Sequence, residues 1–263
     1  MTQQAIQATH GTQAIEALAA DREAVLKIGA GLGDAEWGLQ SGCSGWSVQD
    51  VLAHLGALYW AVVDPSTLPD VADLPTERAQ EVLVEQRRSW TPAQVLADYD
   101  TVSTQALAAF EGLADQEFEV PLGDLGTYPA SALASAFAFD HFLHIRNDLF
   151  APRGPLTGAP PPSDELHLGP ALDWVEAALP QQNAAALAGL RDAVEIDLSG
   201  PGARLIRLGP GEAASPGEAA SRIRSDTPSF VRWVTQRTTW EAAGVDCSGH
   251  QADLAIVRSL KVF

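Results

Sequence analysis

The chain has 263 residues, 46% of them hydrophobic, which is enough to build real cores and suits two domains of ordinary size. It carries 34 acidic against 16 basic residues, a formal net charge of -18, and that field excludes a phosphate backbone or an anionic membrane surface as a natural partner. Its two cysteines, Cys43 and Cys247, are far apart without CxxC spacing, so neither a disulfide framework nor a thiolate zinc knuckle is supported.

The opening "MTQQAIQATHGTQAIEA" has neither a basic start nor an apolar h-region. No run of about eighteen uninterrupted apolar residues follows, so a cytoplasmic protein is expected. From residue 13 to about 28, Ile15, Leu18, Val25 and Leu26 fall at roughly helical spacing and predict a first helix. After "SGCSGW", Ser47 is an N-cap with Asp50 three residues on, and Trp46 is placed to staple against Val51. The helix so started runs to about Val63, before Pro65. A shorter helix is expected around residues 77 to 88. In "SWTPAQVLADY", Thr91 caps and Pro92 opens a third main helix, continued by Val95, Tyr99, Val102 and Leu107. The fourth is expected to start near Pro129 and end before Pro152.

"APRGPLTGAPPPSDE", residues 151 to 165, holds five prolines and reads as a semi-rigid linker. The domain organisation expected is a helix bundle over 1–152, a proline-rich linker over 153–164 and an α+β domain over 165–263. In the last, a helical segment from about 169 to 190 precedes two alternating runs, "DAVEIDLSG" and "ARLIRLG", joined by "PG" as in a hairpin. "AASRIRSD" reads as a third strand, "TPSFVRWVTQR" as a helix capped by Thr227, and "ADLAIVRSLKVF" as a closing helix.

"AFAFDHFLHIRNDLF", residues 136 to 150, crowds Asp140, His141, His144, Arg146, Asn147 and Asp148 into an otherwise apolar helix, where unpartnered polar groups are expensive. Residues four apart differ by about 40° around a helix axis, so Asp140 and His144 share a face while His141 is turned away. His54 lies beside the apolar stripe of Val51, Leu55 and Leu58 and should face the interior. Two imidazoles and one carboxylate without a fourth protein ligand suit a divalent ion with an open coordination position. The same residues also suit a core histidine bonded to a carbonyl beside an i,i+4 pair, and spacing alone leaves both readings open. Asn147 or Asp148 would orient an imidazole, or sit at an exposed helix end.

The stretches "EWGLQSGCSGWSVQDVLAHLGAL" and "FDHFLHIRNDL" resemble the signatures of the mycothiol-dependent maleylpyruvate isomerase family, a branch of the DinB-like metalloprotein superfamily. The resemblance implies an N-terminal DinB-like four-helix bundle and a small C-terminal α+β domain similar to sterol-carrier-like folds. It also implies zinc on His54, Asp140 and His144, with a low-molecular-weight thiol such as mycothiol as co-substrate. One departure stands out: where the family pattern reads His-x-x-Asp after the last ligand, this chain has Asn147, with Asp148 one residue later.

A metal with an open position stabilises a bound thiol as its nucleophilic thiolate. Addition to an electrophilic, carboxylate-bearing small molecule would follow, as in cis-trans isomerisation of maleylpyruvate or in S-transfer. Arg237, at a position like the arginine of the family's C-terminal segment, is the candidate carboxylate clamp and catalytic residue; the alternative is a charge at a helix C-terminus. Arg222 and Arg224 rank behind it. Cys43 is read as a packed turn residue. Trp37, Trp46 and Trp60 suit either a pocket wall or core. The competing function is a non-catalytic metal- or small-ligand-binding protein.

Overall fold

The structure, a computed structural model, describes residues 3–116, 118–209 and 219–263, with the side chains of residues 3–10 left aside. The chain divides into two compact units, Met1–Pro162 and Ser163–Phe263. The first is helical. α1 (Gln3–Gly31) buries Ala14, Ala17, Leu18, Asp21 and Val25 at the i, i+3, i+4, i+7, i+11 spacing of one helix face. A single turn, α2 (Asp34–Trp37), leads into the loop before α3 (Val48–Val63). α3 starts as the sequence predicts: Ser47 accepts from the Asp50 N–H while the Asp50 carboxylate accepts from the Ser47 N–H, closing a capping box.

α4 (Thr76–Glu85) is followed by α5 (Pro92–Leu113), which opens with Thr91 as N-cap, Pro92 in the first turn and Gln94 completing a second capping box. α6 (Leu133–Leu143) then packs against α1, while α5 packs against both α1 and α3. α6 starts about one turn later than the start expected near Pro129. A short hairpin, β1 (Glu119–Pro121) with β2 (Thr127–Pro129), and a 3-10 turn occupy the approach. Three-residue strands carry too little alternation to be read from sequence. At its far end α6 widens into a π turn, His144–Asp148, closed by the Leu149 N–H on the His144 carbonyl.

The proline-rich stretch begins as packed structure. Leu156 is buried, its N–H bonds to the Leu149 carbonyl, and the Ala151 N–H bonds to the Leu156 carbonyl. A Cβ on Gly154 would stand 2.2 Å from the Leu149 carbonyl carbon, so only glycine allows the chain to pass there.

The second unit is α+β. α7 (Glu165–Gln182) and the turn α8 (Ala184–Leu187) precede a four-stranded mixed sheet of order β4-β3-β5-β6. Here β3 (Val194–Ser199) is antiparallel to β4 (Leu205–Leu208) and parallel to β5 (Ser221–Asp226), and β5 is antiparallel to β6 (Asp246–Ser248). Val194, Ile196, Leu198, Ile206, Leu208 and Ile223 bury one face. On the other, Glu195 is held between Arg207 and Arg222 at 2.5 and 2.8 Å. α9 (Thr227–Val234) is capped by Asp226, whose carboxylate accepts from the Ser229 N–H, which corrects the expectation of Thr227. The Thr227 hydroxyl is taken by the Ser199 carbonyl at the end of β3, so the preceding carboxylate caps instead. α10 (Gln251–Ser259) closes the chain. No described helix is long and apolar enough to cross a membrane.

Candidate metal centre

The centre is assembled by three pieces of the N-terminal unit. Its floor is the loop before α3, folded on itself by the Ser41 N–H to the Trp46 carbonyl and the Val48 N–H to the Leu39 carbonyl. Gly42 presses this loop against the π turn: its N–H bonds to the Asp148 carbonyl at 2.7 Å, and a Cβ there would meet the Asp148 Cα and Oδ1 at 2.9 Å. The Ser47 cap fixes where α3 starts, and two turns later His54 emerges among the buried Val51 and Leu55, itself 3% exposed. From α6 and its π turn come Asp140 and His144.

These three converge. His54 Nε2 lies 3.4 Å from the Asp140 carboxylate, and His144 Nε2 lies 3.4 Å from it on the other side. One donor atom from each of the three residues can be chosen with all lying within 4.8 Å of one another. Charge-assisted N–H···O bonds close to about 2.7–2.9 Å. Neighbouring donors on a tetrahedral ion with bonds of about 2.0–2.2 Å stand about 3.3–3.6 Å apart. The observed spacing is that of donors around an ion, and Asp140 Oδ2 and His54 Nδ1, both enclosed, make no hydrogen bond among the described residues. The residues present therefore fit a divalent metal. Asp140 keeps 27% of its side chain exposed.

The two imidazoles are supported differently. His144 Nδ1 bonds to Asp148 Oδ2 at 2.9 Å, and the fully buried Asp148 is itself paired with Arg153 at 3.3 Å, whose guanidinium also donates to the Gly42 carbonyl. His54 rests instead on the Trp46 ring, 4.9 Å between centroids, and Trp46 is anchored by its indole N–H on Glu81 at 2.6 Å. That bond holds the Glu81 carboxyl below its usual range. Electrostatics follow this geometry. Burial would depress the His144 imidazole, but Asp140, with Asp148 also bonded to it, raises it well above the ordinary histidine value. For His54 burial prevails over the pull of Asp140 and lowers it. Burial opposes ionisation of Asp140, yet His144 and His54 together hold its carboxyl well below the usual range.

A second donor set, Cys43, His144 and Asp148, shares the same imidazole through its other nitrogen. There the Asp148 contact has ordinary hydrogen-bond length, and Asp148 is already committed to Arg153, so this set orients His144. Cys43, with Sγ 3.5 Å from His144 Nδ1, was not placed here by sequence reasoning; the loop's fold, invisible to periodicity, brings it in. His141 faces away as its phase requires, Nδ1 donating to the Phe137 carbonyl at 2.9 Å and the ring packed on Tyr59 and Tyr99. Of the three tryptophans considered, Trp37 is buried and Trp60 donates to Asp98.

Arg237 lies in the second unit, past the end of α9 and after Gln236 at φ 60, its N–H bonded to the Arg232 carbonyl. Arg222 is paired with Glu195, and Arg224 with Asp246 and Asp197.

Residues 18–148 match the model of the mycothiol maleylpyruvate isomerase N-terminal domain. In fold the chain is similar to the crystal structure of a mycothiol-dependent maleylpyruvate isomerase and to that of a histidine-to-alanine mutant of it. Each is 15% identical with a TM-score of 0.58, over 91% of this chain and 94% of the other. No curated protein matches the sequence.

Proposed function

We propose, from the match of residues 18–148 to the mycothiol maleylpyruvate isomerase N-terminal domain, a metal-dependent enzyme that activates a low-molecular-weight thiol for addition to a small electrophile. The observation that carries the reading is the 3.4 Å spacing of His54 and His144 about Asp140, which suits zinc and leaves a coordination position for a ligand. Bound there, the ion would supply the charge that keeps a thiol in its thiolate form at neutral pH.

This chain's residues do the rest. Asp148 fixes the His144 ring and its tautomer, with Nδ1 protonated and Nε2 free to ligate. Trp46 packs against the His54 ring in a tilted contact and helps hold it in place. Arg237 is proposed as the clamp for a substrate carboxylate, because guanidinium pairs bidentately with carboxylate and a chain of charge -18 needs local positive charge to admit an anion. The reaction would be cis-trans isomerisation by reversible thiolate addition to an activated double bond, or permanent S-transfer. The finer architecture proposed is a DinB-like four-helix bundle followed by a sterol-carrier-like domain, with the boundary in the proline-rich segment at 153–164 and a cytoplasmic setting.

Metal analysis of the purified protein, with titration of mycothiol before and after chelation, tests the proposal. Thiol binding that vanishes with the metal and returns on adding zinc is expected. Bound metal without any thiol binding would instead favour a non-catalytic metal-binding protein.

A further inference from the structure

The C-terminal unit has a second convergence of donors, unrelated to the centre on α3 and α6. Asp192 stands in the turn before β3, His250 immediately precedes α10, and Asp253 lies in the first turn of α10. The turn into His250 is fixed by Gly249, at φ 121 and so close to β5 that a Cβ would stand 2.5 Å from the Ser221 Cα. The His250 N–H bonds to the Ser221 hydroxyl at 3.0 Å. One donor atom from each of the three residues can be chosen with all lying within 4.8 Å of one another.

Asp253 makes this more than a surface cluster of charges. Its side chain is fully buried. Oδ1 accepts the Arg191 N–H at 3.0 Å, whereas Oδ2, equally enclosed, accepts no hydrogen bond among the described residues. A carboxylate oxygen shut away from water without a donor is costly. Its neighbour is His250 Nδ1 at 3.6 Å, and Asp192 Oδ2 approaches the same nitrogen to 3.3 Å. Both distances exceed the 2.7–2.9 Å or so of a charge-assisted hydrogen bond and lie near the roughly 3.3–3.6 Å between donors that share one tetrahedral ion.

We propose that Asp192, His250 and Asp253 bind a divalent transition-metal ion in the C-terminal unit. One imidazole and two carboxylates, without a thiolate, select a borderline-to-hard ion such as zinc or manganese, and three protein ligands leave the remaining positions to water. The ion would satisfy the enclosed Asp253 oxygen, balance the two carboxylate charges and tie the start of β3 to α10. Asp192 and His250 are about half exposed, which gives the ion an entry route.

The test is zinc titration of the metal-stripped full chain carrying His54→Ala and His144→Ala, which disables the centre in the first unit. One zinc equivalent is expected to bind and to raise the melting temperature. Adding His250→Ala or Asp192→Asn, exposed positions that the fold tolerates, should weaken that binding at least tenfold. In the otherwise unaltered chain, His250→Ala should lower the bound stoichiometry by one equivalent. No zinc on the double variant, binding there that ignores both added substitutions, or an unchanged stoichiometry in the single variant would each overturn the site. None of these readouts depends on thiol chemistry in the first unit.

Discussion

His141 and His144 stand three residues apart on one helical stretch, both buried, and have opposite chemical settings. His141 is enclosed by Tyr59 and Tyr99, bonded to its own helix at the Phe137 carbonyl, and lowered in pKa chiefly by burial. On its other face the same stretch presents His144 to two carboxylates that, against the effect of burial, raise it well above the ordinary histidine value. Residue type and burial are shared, so neither distinguishes a ligand from a packing residue. What differs is which side of α6 each imidazole leaves, and therefore whether it meets aromatic rings or carboxylates.

The contrast can be broken most severely within the π turn. Arg146 and Asp21 form a 2.8 Å pair with both side chains at most 2% exposed, and Arg146 also donates to the Pro162 carbonyl. Arg146→Ala strands a buried carboxylate and should cost about 3–5 kcal/mol in urea unfolding. A loss below about 1 kcal/mol would show that water already reaches this pair.

The two histidines themselves come next. His141→Ala should lower stability by about 2–4 kcal/mol through the cavity it leaves, with zinc content unchanged. His144→Ala should lower zinc affinity at least about a hundredfold, the equivalent of roughly 2.7 kcal/mol. Equal metal loss in both variants, measured by elemental analysis after dialysis, would erase the distinction between the two faces.

Asp148→Asn sharpens the comparison further. It retains volume but weakens the bond to His144 Nδ1, and a drop in zinc affinity of about 10–100-fold is expected by competition with a chromophoric chelator. Unchanged affinity would mean that packing alone orients the imidazole.

The smallest effect is a pH trend in the metal-free protein. His144 has a folded pKa above its unfolded value of about 6.5, so its stabilising contribution is complete below that value and is lost as pH rises through the folded pKa. His54, with a lowered folded pKa, acts in the opposite sense and only at lower pH. Melting temperature in chelator should therefore fall from about pH 6.5 upward, and His144→Gln should remove that fall. A fall that persists in the variant would assign the titration to another group.

Much of this molecule is legible in the chain itself because its signals are local. Ser47 with Asp50, and the Thr91 cap, announce helix starts through hydrogen bonds made within one turn, Pro92 does so through its fixed φ, and the spacing of Asp140 and His144 puts both on one face by helix geometry alone. The inward placement of His54 follows from the apolar stripe around it. Contacts that cross between segments were not legible. The Thr227 hydroxyl is diverted by Ser199, a strand away, and Cys43 reaches His144 only because Gly42 lets its loop lie on the π turn. The π turn is the clearest case. The sequence shows Asp148 one residue later than the family pattern places its carboxylate, still on His144's side at i,i+4, and nothing in it shows that the turn between them widens. The last turn widens so that Leu149 bonds back to His144, and within it Asp148 meets His144 Nδ1 at 2.9 Å. A helix end is free to widen only where neighbouring segments, here Gly42 and Arg153, satisfy the groups it displaces, and that is decided by packing in three dimensions.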